Sequence, residues 1–131
     1  MFGHFWKSKE KKATQFSNDL TRSFPNFLDI AKGWNGMDKV PDCVAHHPVV
    51  LGFLYGFSFM VVTTASRKIR FDDETQYRIM YQAICNFLNR PNDFEDIGWR
   101  IINFEDAKNA EFAEYVDEGK NLAHTIGWMS V

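Results

Sequence analysis

The stretch Val49–Ala65, VVLGFLYGFSFMVVTTA, decides the fold. It follows His47-Pro48, contains no charged residue and stops against Arg67, Lys68 and Arg70. Its β-branched and aromatic residues would suit a buried strand, but the flanking sequence has helical spacing and offers no strand to pair with. The stretch therefore reads as a helix that is apolar on every side. Such a helix has two stable settings: the centre of a small helical protein, or a membrane span of about 17 residues, at the lower limit for crossing a bilayer. Arg67, Lys68 and Arg70 lie at one end only, which would hold that end in the cytoplasm. Tyr55, Ser58, Thr63, Thr64 and two glycines weigh against lipid.

The neighbours tip the balance. Asp72 or Asp73 supplies an N-cap, and Asp73-x-x-Gln76 has capping-box spacing. Tyr77, Met80, Tyr81, Ile84, Phe87 and Leu88 then form one stripe, which Asn89-Arg90-Pro91 ends. Asn92, with Glu95 three residues on, opens another helix with Phe94, Ile97, Ile101 and Phe104 on its face. The last helix is predicted from about Glu105 to Gly127. Phe112, Tyr115, Val116, Gly119, Leu122, Ala123 and Ile126 face inward, with Glu111, Glu114, Asp117, Glu118, Lys120 and Asn121 outward.

Upstream, Ala13, Phe16, Ser17 and Leu20 have helical spacing. Ser23 caps a second piece with Pro25 in its first turn and a Phe24, Phe27, Leu28, Ala31 stripe that Gly33 stops. Residues 33–48, with two glycines and two prolines, read as a connecting loop.

Striped helices need a partner, and a helix without a polar face needs several. The expected fold is an all-α, compact bundle of five or six helices around a central apolar helix at about residues 48–66. Residues 9–131 form a single domain, preceded by a segment at 1–8. Gly52 and Gly56 make a G-x-x-x-G face on the central helix, the spacing that lets a second backbone approach closely. Gly119 and Ala123 interrupt a stripe of large residues at the same interval, so the last helix is the expected crossing partner.

The chain has 131 residues, enough for one buried core, and 16% aromatics, too many for a disordered chain. A formal charge of −2 gives no basic surplus for tracking phosphates, so nucleic acid is not an expected partner. Cys43 and Cys85 lie far apart, and the N-terminus, MFGHFWKSKEKK, is not a signal peptide, since Phe2, Phe5 and Trp6 precede the lysines. A reduced, cytoplasmic setting is the simpler expectation.

Chemistry-bearing patterns are few. Asp42-Cys43-Val44-Ala45-His46-His47 is the densest set of metal-ligand types, and Cys43, His46 and His47 are the weak candidates. A structural zinc site needs four ligands, commonly two such pairs, and no second pair follows, so no metal is assigned. The alternative reading has His46 or His47 capping the helix that starts at Pro48. Glu111 and Glu114 have the three-residue spacing of bundle carboxylates but no Glu-x-x-His partner. There is no phosphate loop, nucleophile elbow or dinucleotide fingerprint, so no catalytic residue or cofactor is expected.

What remains is surplus aromatics. Trp99 sits opposite Ile97 and Ile101 and beside Ile102, giving its helix two apolar faces. Trp99 and Arg100, with Trp128, are the interface candidates, because aromatics and arginine anchor protein contacts. The sequence thus points to a small non-enzymatic helical protein acting through protein–protein contact, as an adaptor, regulator or assembly factor that self-associates. Two alternatives stand beside it. One is a membrane-associated component using residues 49–65 or the N-terminal aromatic and lysine segment. The other is a metal- or ligand-binding helical domain.

Overall fold

The computed structural model describes residues 11–20 and 42–125. Among these residues there are six α-helices and no strand: α1 (11–20), α2 (Asp42–Ala45), α3 (Pro48–Ile69), α4 (Asp73–Phe87), α5 (Phe94–Asp106) and α6 (Ala110–Thr125). The fold is all-α, with the helices packed against the central apolar α3. The expected helix with Phe24, Phe27, Leu28 and Ala31, and also Trp128 and Ile126, lie outside the described residues.

Helix α3 starts where sequence places it. The His47 ring Nδ1 accepts the Val49 N–H at 3.1 Å, and Pro48 occupies the first turn, where its missing N–H costs nothing. From Leu51 to Ser58 every residue is buried, so no face of this segment is left to solvent. Its hydroxyls are satisfied internally: Ser58 donates to the Leu54 carbonyl (2.7 Å), Thr63 to Phe59 (2.7 Å) and Thr64 to Met60 (2.8 Å). Those side chains therefore carry less weight against lipid than their polarity implies, and Pro48–Ala65 is long and apolar enough to cross a membrane. What marks α3 as a core helix here is its enclosure.

Helix α6 provides most of that enclosure. A Cβ on Gly52 would come within 2.6 Å of the Phe112 carbonyl oxygen, and one on Gly56 within 2.8 Å of the Val116 Cα. A Cβ on Gly119 would come within 2.7 Å of the Phe57 nitrogen. The two backbones meet through glycines on both sides, at the spacing read from the sequence, with Ala123 fully buried further along. Register rises together along both helices, Gly52 with Phe112, Gly56 with Val116 and Phe59 with Lys120, so α3 and α6 run in the same direction.

Helix α4 packs on α3 with Ile79, Met80, Ala83, Ile84 and Cys85 buried, an arc wider than the expected stripe, while Tyr77 at the edge of that stripe is 43% exposed. Helix α1 lies along α4: Ser17 donates to the Ile79 carbonyl at 3.2 Å, and the Phe16 ring meets Phe71 edge-on at 6.1 Å.

Several local details differ from the expectations. Asp72 is the α4 N-cap and accepts the Thr75 N–H at 2.8 Å, a cap of about 1 kcal/mol. The Asp73–Gln76 box does not form, because Gln76 Nε2 instead donates to the Phe71 carbonyl. At α5 the cap position is Asp93 rather than Asn92, with no side-chain cap bond, and its carboxylate turns towards Arg90. The loop expected before Pro48 contains the single helical turn α2. The last helix begins at Ala110, five residues after the expected Glu105. Lys108 adopts a left-handed conformation (φ 54°), and the Lys108 and Asn109 N–H groups bond back to Glu105 and Phe104 to close α5. Asn109 Oδ1 then caps α6 through the Phe112 N–H at 2.9 Å.

Candidate functional site

The dense Asp42–His47 segment becomes an ion-pair network rather than a ligand set. One helical turn places Asp42 and His46 on the same side of α2, facing Arg90 in the turn between α4 and α5. The Arg90 side chain is only 4% exposed. It donates to the Asp42 carboxylate and lies 3.1 Å from His46 Nε2. Its Nε sits 3.4 Å from Asp93 Oδ2, without hydrogen-bond alignment. His46 Nε2 is also 3.2 Å from Asp96 Oδ2, and Asp96 in turn accepts from Arg100 Nε at 3.2 Å. A guanidinium at the histidine nitrogen repels a metal cation, and His47 is used as a cap. Cys43 is exposed, and among the described residues no three metal-ligating side chains converge. The network pins α2 to the α4–α5 corner.

Cys85 is fully buried in α4, and desolvation pushes its thiol up to about 12, so it stays protonated and unreactive. Burial also holds the Tyr55 hydroxyl well above the ordinary tyrosine range, with Glu105 adding to the shift through a hydrogen bond and its charge. Tyr81 is pushed up to about 12, first by burial and then by the charge of Glu105. These phenols are donors, not bases.

The surface is more informative. Ile97, Gly98 and Ile101 turn the inner face of α5 into the core, whereas Trp99 is 63% and Ile102 37% exposed. Trp99 and Ile102 are three residues apart and share the outer face. Ile102 borders a groove of about 510 Å³ between α4 and α5, lined by Glu74, Tyr77, Arg78, Tyr81, Phe94 and Glu105 besides Ile102. Gly98 matters to its shape, because a Cβ there would come within 3.2 Å of the Tyr81 ring. The Tyr81 ring therefore packs closely against α5 at Gly98. Of the interface candidates, Trp99 is open to solvent, Arg100 is half-buried on Asp96 and Trp128 lies outside the described residues.

Sequence reasoning singled out Trp99 but missed the groove beside it. Tyr77 and Tyr81 read as core because they fall on the apolar stripe of α4. The signal was available in Gly98, a glycine inside an otherwise regular helix, which marks a close approach. Comparison with protein-family models, curated proteins and solved structures finds no match.

Proposed function

We propose that this is a cytoplasmic, non-enzymatic protein that works through protein–protein contact, as an adaptor, regulator or assembly factor, and that it self-associates. The observation that carries this reading is the open outer face of α5. Trp99, 63% exposed, shares that face with the exposed Ile102, and tryptophan and arginine are enriched among the anchors of protein contacts. The acids and bases near it are absorbed in structural pairs, which supports a docking role over chemistry.

Sedimentation velocity over a range of protein concentrations tests the reading. The parent chain is expected to shift from monomer to dimer, and Trp99→Ala to remain monomeric with a melting temperature within about 2 °C of the parent, because the ring contributes little to the core. A parent chain that stays monomeric at every concentration removes self-association. A variant that associates as well as the parent removes Trp99 as its anchor.

A second reading, a membrane-associated component, draws on the length and hydropathy of Pro48–Ala65 and on the internally satisfied hydroxyls of α3.

A further inference from the structure

The α4–α5 groove has the chemistry of a cation receptor. Its floor is aromatic: Tyr77 and Tyr81 lie 5.9 Å apart at 32°, and Phe94 meets Tyr81 edge-on at 6.0 Å. An aromatic face left open in such a depression attracts an ammonium or guanidinium group placed over it. The rim is acidic. Glu74 comes from the first turn of α4 and Glu105 from the last turn of α5, against a single guanidinium, that of Arg78.

Glu105 and Asp106 occupy the last turn of α5, with no basic residue there, where carboxylates oppose the helix dipole. For Glu105 the hydrogen bond with Tyr55 offsets this, and its charge also reaches the groove, where it raises Tyr81.

We propose that this groove receives a cationic amphipathic helix from a protein partner. An apolar ridge of that helix would lie on Tyr77, Tyr81, Phe94 and Ile102, and a lysine or arginine side chain would sit over the tyrosine rings between Glu74 and Glu105. A trough between two helices is the shape that accepts a third one. This assignment rests on the reading of the protein as a contact module and specifies the partner's chemistry.

Calorimetric titration of the full chain with an amphipathic leucine–lysine peptide of about 14 residues, four helical turns, tests it. Binding is expected, weakening several-fold as salt rises from about 0.05 to about 0.3 M, and the leucine–glutamate counterpart is not expected to bind. Glu74→Gln and Tyr77→Ala, both at exposed positions, should each weaken binding about tenfold. Glu114→Gln and Glu118→Gln, on the exposed side of α6, should leave it unchanged.

No binding of the leucine–lysine peptide overturns the proposal. So does equal binding of the leucine–glutamate peptide, or equal weakening by the α6 variants, which would mark a general attraction to an acidic surface. If Trp99→Ala abolishes self-association while the peptide fails to bind, the groove assignment falls and the contact function stands. If the peptide binds at the groove but the parent chain never self-associates, the assignment stands and self-association falls.

Discussion

Gly56→Ala is expected to destabilise the protein by at least about 3 kcal/mol, lowering its melting temperature by roughly 10 °C or more. The sign is informative, because alanine in a helix interior normally gains about 1 kcal/mol over glycine. Here the new methyl would fall on the Val116 carbonyl, with Val116 Cα only 2.8 Å away. Backbone on a packed helix cannot swing aside as a side chain can, so α6 must lift off α3 and open the core. Gly98→Ala is the matched control. Its Cβ would meet only the Tyr81 ring, at 3.2 Å and 3.3 Å, and that side chain can tilt. Its net effect should stay within about 1 kcal/mol, with the helix-propensity gain offsetting the shift of the ring. Urea denaturation of the three proteins decides the matter. If Gly56→Ala is as stable as the parent, the close crossing of α3 and α6 is wrong.

Arg90→Ala is the second large effect, with an expected loss of about 2–4 kcal/mol by the same measurement. The guanidinium is buried at 4% exposure, and its removal breaks the bond to Asp42, the contact with His46 and the approach to Asp93. Helix α2 is a single turn, too short to persist without tertiary support, so it should detach from the α4–α5 corner. Arg90→Met separates charge from packing: it fills much of the same space and should lose less than the alanine variant. Asp42 is 71% exposed, so Asp42→Ala should cost no more than about 1 kcal/mol. An Arg90→Ala protein within about 1 kcal/mol of the parent would show that the network contributes nothing to holding the corner together.

The architecture was legible because its strongest signals are local and redundant. Val49–Ala65 has no polar face, and the stripes on either side of it demand burial, so an all-α arrangement around α3 follows from pattern alone. Even the crossing partner was readable, since Gly52, Gly56 and Gly119 carry a steric message that large residues cannot. The boundaries that shifted did so for reasons a spacing rule does not carry. Asp93, at the cap position, turns its carboxylate to Arg90 three residues back, and Lys108 closes α5 in a left-handed conformation with no glycine or proline to announce it.

The candidate site was less legible. Asp42 and His46 carry the residue types of a metal site, and only the position of Arg90, far along the chain, turns them into an ion-pair network. Tyr77 and Tyr81 sit on an apolar stripe, and a stripe does not reveal which of its rings the neighbouring helix leaves uncovered. Trp99 was readable as an outward aromatic because Ile97 and Ile101 already claim the opposite face.

If α3 is the core of a folded helical domain rather than a lipid-embedded span, the chain folds without lipid or detergent. Expression without detergent, followed by size-exclusion chromatography with light scattering, tests it most directly. A sharp peak is expected in aqueous buffer, at the mass of the 15.3 kDa chain or a small multiple of it. Material that stays in the membrane fraction until detergent is added would contradict it, and Pro48–Ala65 would then be a membrane span.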